Sequence, residues 1–122
     1  MIRVLIVDDS SLAREFHSHI LKDAGFVCVT AVDGMEGLEK ATEEKFQIIL
    51  TDINMQGMDG YEFIRRARQN PDYDEVPIII ISTEARELDK QKGFSAGANC
   101  YLAKPTDAKR IVESMKMVLG TR

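Results

Sequence analysis

The sequence predicts an α/β domain in which five buried parallel strands alternate with five helices. Runs of consecutive aliphatic residues recur along the chain, as at 48–50 and 78–81, and such runs are typical of strands buried on both faces. Segments with apolar residues three and four positions apart separate these runs, so that each strand and its helix take roughly 20 to 25 residues. Short right-handed crossovers then build a doubly wound parallel sheet with helices on both faces.

The length and charge of the chain limit what it can do. Its 122 residues suit one domain, 1–122, with a single core. The net charge is -4 and the basic residues are dispersed, which argues against direct binding of nucleic acid. The apolar run at 4–7 is too short for a signal peptide or a membrane span. We therefore expect a cytoplasmic protein without membrane insertion.

The first half of the chain contains two strand–helix pairs. The first strand, residues 3–7, ends at Asp8 and Asp9, and Ser10 or Ser11 caps the following helix, which stops before Gly25. A second strand covers residues 26–32, and a short helix follows the Asp33-Gly34 turn. The apolar residues predicted to form the inward stripes of these two helices are Leu12, Ala13, Phe16, Ile20, Leu21 and Ala24, then Met35, Leu38 and Ala41.

The second half contains three further pairs. A strand at 48–51 ends at Asp52, and a helix at 61–68 ends before Pro71. The most apolar run, 78–81, predicts a central strand that ends at Ser82. Residues 86–96 predict a helix with only a weak apolar stripe, formed by Leu88, Gly93 and Phe94. A short strand at 99–103 precedes Lys104, and Asp107 caps the last helix.

Polar residues follow several of these strands directly. Because parallel strands end at one edge of a sheet, Asp8, Asp9, Asp52, Ser82 and Lys104 should line a common crevice. Neighbouring carboxylates repel each other unless a cation holds them, and Mg²⁺ favours such oxygens together with water and phosphate. The lysine and the hydroxyl can bind an anion. The set favours a phosphoryl group on the aspartate after the third strand, while the alternative is a solvated acidic rim with a lysine salt bridge.

The histidines and cysteines suggest no separate site. His17 and His19 lie two apart on a helix, so they face different directions, and we expect surface or packing roles for both. Cys28 and Cys100 lie in strand-like segments and are expected to be inert buried thiols. No catalytic triad, Walker loop or zinc spacing is present in the sequence.

Four motifs, VLIVDDS, ILTDINM…MDG, IIISTEA and YLAKP, occur in an order and spacing that resemble the receiver domain of two-component response regulators. The resemblance covers essentially the whole chain and is closest to single-domain chemotaxis regulators. It implies a flavodoxin-like sheet with strand order 2-1-3-4-5. In that order Cys28 and Cys100 lie on opposite edge strands, roughly 19 Å apart, which is too far for a disulfide.

The resemblance also implies roles for individual residues. Asp52 corresponds to the phosphoacceptor, and Asp9 and Asp52 to direct Mg²⁺ ligands, with Mn²⁺ as a substitute metal. The backbone carbonyl of Asn54 is the implied third ligand, and Asp8 acts through water. Asn54 and Glu84 occupy positions that tune the lifetime of the acyl phosphate, and both match chemotaxis regulators, which implies a short-lived signal.

The remaining implied roles concern the switch. Ser82 corresponds to the hydroxyl that turns toward the phosphoryl group, and Lys104 to the lysine that pairs with it, before a proline whose peptide bond is typically cis. Tyr101 corresponds to the aromatic side chain that moves inward on activation; the alternative is an edge-strand aromatic packed on the last helix. Gln56 and Thr106 depart from the usual proline and phenylalanine, which weakens expectations of loop rigidity and local packing.

The implied function is that of a signalling switch rather than an enzyme, catalysing only its own phosphorylation and autodephosphorylation. Its expected partners are a sensor histidine kinase or phosphotransfer protein and an unknown downstream protein. The protein itself is expected to be a monomer or weak dimer, and chemotaxis is the expected process. One alternative function is that of an aspartate-nucleophile phosphohydrolase, but such an enzyme requires a second acidic residue at the position of Asn54. The other is a flavodoxin-like electron carrier, whose phosphate loop conflicts with the acidic DDSSLA.

Overall fold

A computed structural model describes residues 1–120, so the last two residues of the predicted domain 1–122 lie outside the described part. The sheet is parallel and its order is β2-β1-β3-β4-β5, which confirms the predicted fold class and strand order. The strands are β1 (Arg3–Val7), β2 (Val27–Ala31), β3 (Ile48–Thr51), β4 (Ile78–Ser82) and β5 (Cys100–Ala103). The helices are α1 (Ser11–Asp23), α2 (Gly34–Glu43), α3 (Gly60–Gln69), α4 (Glu87–Ala96) and α5 (Ala108–Leu119).

The register of the sheet brings the ends of the strands to one edge. Val7, the last residue of β1, pairs with Ala31 of β2 and with Thr51 of β3. Ser82 at the end of β4 pairs with Ala103 of β5. The residues that directly follow these strands therefore lie side by side at the carboxyl edge, where α/β sheets of this kind bind their ligands.

Both faces of the sheet are buried, because alternate residues of each strand enter different apolar clusters. In β1, Leu5 and Val7 belong to the cluster that α2 and α3 cover, while Val4 and Ile6 belong to the cluster of α1 and α5. This alternation explains why the strands read as continuous aliphatic runs. Among residues 1–120, no helix is long and apolar enough to cross a bilayer.

The helix ends follow the local sequence signals. Ser10 and Asp107 accept hydrogen bonds from backbone N–H groups of α1 and α5, which confirms both predicted caps. Asp33 and Asp59 do the same for α2 and α3. A short 3₁₀ turn, Pro71–Tyr73, follows α3 and was not predicted.

The predicted inward stripes of three helices are partly wrong. Leu12 and Phe16 of α1 are 76% and 49% exposed, and Met35 of α2 is 53% exposed. These three residues lie off the buried faces of their helices, which consist of His17, Ser18, Ile20 and Leu21 in α1 and of Gly34, Gly37 and Ala41 in α2. Leu88 and Phe94 of α4 are also exposed. Ala24 is exposed as well, after the last turn of α1.

Candidate functional site

Two carboxylates and one ammonium group form the centre of the site. Asp8 follows β1, Asp52 follows β3, and Lys104 follows β5. The Nζ atom of Lys104 donates to Oδ2 of Asp8 and to Oδ2 of Asp52, at 3.1 Å in each case. β1 and β3 are the neighbours at which the strand order reverses, so the site lies at the topological switch point of the sheet.

The site is largely shielded from water. The side chains of Asp8, Asp52 and Lys104 are 4%, 11% and 20% exposed. Burial lowers the pKa of Lys104, but the carboxylates of Asp52 and Asp8 outweigh it, so that the net pKa is raised. Lys104 therefore stays charged at neutral pH, and the three groups together carry a net charge of -1 when both acids are ionised.

The backbone fixes the orientation of both carboxylates. Oδ1 of Asp8 accepts from the N–H of Ser10 at 2.9 Å, and Oδ1 of Asp52 accepts from the N–H of Ile53 at 2.6 Å. Gly60, the first residue of α3, lies against the backbone of Asp52, where a Cβ atom would be 2.8 Å from the Cα of Ile53. A residue without a side chain is thus needed for α3 to begin this close to the end of β3.

Ser82 lies beside this centre and is fully buried. Its hydroxyl accepts from the N–H of Glu84 at 3.1 Å, and its carbonyl accepts from the N–H of Lys104 at 2.8 Å. The Lys104-Pro105 peptide bond is cis, as the resemblance implied. The side-chain amide of Asn54 donates to the carboxylate of Glu84 at 3.1 Å, so the two residues expected to tune phosphate lifetime contact each other at the mouth of the site.

Tyr101 lies inside the fold, 9% exposed, with its hydroxyl donating to the carbonyl of Glu84. It belongs to the apolar cluster on the face of α2 and α3, whereas α5 packs in the other cluster. The alternative of an aromatic packed on the last helix is therefore wrong. Near that helix, the hydroxyl oxygen of Thr106 is buried without a hydrogen-bond partner within residues 1–120.

His17 is a neighbour of the site that the sequence did not identify. It is 4% exposed and lines the same small internal space as Asp8 and Asp52, beneath the carboxyl edge. Its pKa is lowered, first by burial and then by the charge of Lys104, against the opposing effect of the two carboxylates. Packing was the expected role, and the position is confirmed as buried; His19 is exposed.

The donor set fits a hard divalent cation better than a soft one. Asp8 and Asp52 present carboxylate oxygens to a common point, and Asp9 adds an exposed carboxylate at the rim. Within residues 1–120 no three acidic, imidazole or thiol groups are already gathered as ligands. The structure thus brings Asp8, Asp52 and Lys104 together and leaves Asp9 facing solvent beside them.

The fold and the site define a flavodoxin-like α/β domain with an acidic pocket and a lysine at the switch point of its sheet. The chain belongs to the response regulator receiver domain family, whose profile matches residues 4–116. It is similar to Protein PilH of Pseudomonas aeruginosa, with 34% identity over 120 residues that cover 98% of this chain and 99% of that protein. The chain spans 13% of the length of another curated relative that it matches.

Solved structures show the same fold. Chemotaxis protein CheY4 of Vibrio cholerae superimposes with a TM-score of 0.94 at 39% identity, over 97% of this chain and 98% of that one. The receiver domain of a sensor histidine kinase from Pseudomonas aeruginosa superimposes with a TM-score of 0.91 at 26% identity, over 98% of both chains. That structure holds a magnesium ion coordinated in its active site cleft.

Proposed function

We propose that this chain is the phosphoacceptor regulator of a two-component phosphorelay, and that Asp52 receives the phosphoryl group. The observation that carries the proposal is the position of Lys104, whose ammonium lies 3.1 Å from oxygens of both Asp8 and Asp52 at the switch point. A fixed positive charge beside a buried carboxylate stabilises a transferred phosphoryl group as well as the carboxylate itself. Asp52 is proposed as the acceptor, rather than Asp8, because it stands in the ILTDINM motif at the position of the receiver phosphoacceptor and is the less buried of the two carboxylates, 11% against 4% exposed.

In the transfer step, a carboxylate oxygen of Asp52 attacks phosphorus in line with the leaving group. The bond to the donor nitrogen or acyl oxygen breaks, and its electron pair leaves with the donor. Lys104 offsets negative charge on the equatorial oxygens. Asp8, Asp9, Asp52 and the carbonyl of Asn54 are the groups that would hold Mg²⁺, or Mn²⁺ in its place. When bound, the metal supplies further positive charge for the same oxygens.

The transferred group carries a charge of about -1.5 to -2, and because the carboxylate of Asp52 loses its own charge on forming the acyl phosphate, the net change at the carboxyl edge is about -0.5 to -1. Lys104 and the hydroxyl of Ser82 are the neighbouring donors that this charge attracts. Because Ser82 also binds the N–H of Glu84, its movement would shift the segment that leads into α4. The proposed result is a population shift of the α4–β5–α5 face, including Tyr101, which a downstream protein reads.

The proposed phosphodonors are a phosphohistidine on a sensor histidine kinase or phosphotransfer protein, and small acyl phosphates. We place the protein in the cytoplasm as a monomer or weak dimer without direct nucleic-acid binding, and we propose chemotaxis as the process. The similarity to a chemotaxis protein and to PilH supports this choice. The protein would catalyse only its own phosphorylation and autodephosphorylation, with Asn54 and Glu84 affecting the second reaction.

The test is labelling with an acyl phosphate in the presence of Mg²⁺. The wild-type protein should gain one phosphoryl group, and Asp52→Asn should gain none, because the amide removes the nucleophilic oxygen while keeping the shape of the side chain. Asp59→Asn is the matched control, since Asp59 caps α3 outside the pocket and should leave labelling intact. Labelling of Asp52→Asn at the wild-type level would contradict the assignment.

A further inference from the structure

Helix α4 packs no large apolar side chain against the sheet. Of its ten residues, three are buried, namely Asp89, Gly93 and Ala96, and none of these is a large apolar residue. Its two large apolar residues, Leu88 and Phe94, are 55% and 50% exposed. Since apolar burial usually fixes the position of a helix, polar contacts have more influence on α4 than on its neighbours.

Two tyrosine hydroxyls supply such contacts. One binds the segment before α4, and the other binds the first turn of α4. Tyr101, from β5, donates to the carbonyl of Glu84. Tyr61, from the first turn of α3, donates to the carbonyl of Asp89 at 3.2 Å. The path from the end of β4 into the first turn of α4 is therefore held from two different elements.

Both tyrosines lie against α4. Burial is the first cause of the raised pKa of both hydroxyls. Gly93 leaves room for this arrangement, because a Cβ atom there would lie 3.1 Å from the ring of Tyr101. The hydroxyls of Tyr101 and Tyr61 thus bind two carbonyls along the path from β4 into α4, those of Glu84 and Asp89.

Resting on the function proposed above, we propose that Tyr61 is a positioning residue of the switch. Its hydroxyl holds the first turn of α4 over Tyr101 and so stabilises the inward position of that ring. A phosphoryl group on Asp52 that attracts Ser82 then favours the same inward position of Tyr101 that Tyr61 stabilises. Helix α3, through Tyr61, is thereby coupled to the face that a partner reads.

The substitution Tyr61→Phe tests this role, because it removes one hydroxyl and retains the partly buried ring. With 3-fluorotyrosine in place of tyrosine, ¹⁹F NMR reports the position of Tyr101 directly. In Tyr61→Phe without any phosphate mimic, the Tyr101 resonance should move toward the exposed tyrosine shift. Beryllofluoride with Mg²⁺ should restore the inward shift, with an apparent affinity about two- to tenfold weaker than in wild type, as expected for one lost hydrogen bond.

The matched control is Tyr73→Phe. The Tyr73 hydroxyl also binds backbone carbonyls, those of Ala41 and Glu44, but at the opposite end of the sheet. This variant should leave both the Tyr101 resonance and the beryllofluoride affinity unchanged. In a Tyr101→Phe background, Tyr61→Phe should change that affinity less than about twofold, because Tyr61 acts through Tyr101.

An unchanged Tyr101 resonance and an unchanged affinity in Tyr61→Phe would overturn the role of Tyr61. An equal loss of affinity with and without Tyr101 would also overturn it, since the residue would then act independently. Failure of the wild-type protein to bind beryllofluoride would refute the proposed function instead. The ¹⁹F comparison of the unliganded proteins separates these cases, because it needs no phosphate mimic.

Discussion

Replacing Lys104 by methionine removes the charge that holds the two acids together and keeps most of the volume of the side chain. At 3.1 Å, an effective dielectric constant of 20 gives a gross attraction of about 5 kcal/mol for each carboxylate. Desolvation of the lysine offsets part of this. Because Asp8 and Asp52 remain buried next to each other without a positive charge to balance them, the free energy of unfolding should fall by about 3 to 5 kcal/mol at neutral pH.

Urea unfolding of Lys104→Met in a chelating buffer measures this loss. The deficit should shrink when Mg²⁺ is added, because a divalent cation replaces the missing charge. Lys45→Met is the matched control, since Lys45 pairs with Asp72 on the exposed surface, where an ion pair contributes little. If both variants lost the same small amount, the buried pairing of Lys104 would not have the energetic role given to it.

Two further predictions concern neighbours of the site. The folded pKa of His17 is lowered from 6.5, so protonation favours the unfolded state, and wild-type stability should fall below about pH 6.5 by up to about 1.4 kcal/mol per pH unit. His17→Leu should lose this part of the pH dependence and His19→Leu should keep it, in urea unfolding at several pH values; equal slopes in all three proteins would contradict the burial of His17. Gly60→Ala should lose about 1 to 3 kcal/mol, because its Cβ meets the backbone near Asp52. Gly34→Ala meets only a flexible methionine and should change stability less; equal losses by calorimetry would exclude the close approach at Gly60.

The sheet and the centre of the site were predictable from local patterns. The aliphatic run of β3 is typical of a strand buried on both faces of a parallel sheet, and the end of that strand places Asp52 at the carboxyl edge. Asp8 and Lys104 follow their own strands in the same way, so one geometric rule brings all three together. The polar caps Ser10 and Asp107 were equally local, because each binds a backbone N–H within three residues.

The rest depended on contacts that periodicity does not encode. Leu12 and Phe16 continue the apolar spacing of α1, but the buried face of that helix is formed by other residues, His17 and Ser18 among them. His17 is polar in type, yet the helix turns it toward the buried pocket. The periodicity of α3 gives no role to Tyr61, because its hydrogen bond to Asp89 joins residues 28 positions apart in the sequence. A tyrosine directly after the Asp59-Gly60 cap, on a turn that meets α4, is the signal that could have identified it.

Locating the phosphoryl group on the chain tests most directly whether Asp52 is the acceptor. After reaction with an acyl phosphate and Mg²⁺, borohydride reduction converts a phosphorylated aspartate to homoserine, which peptide mass spectrometry locates. Homoserine is expected at position 52, with intact aspartates at 8 and 9. Homoserine at position 8 or 9, or none after a reaction in which a control receiver domain is modified, would contradict this assignment.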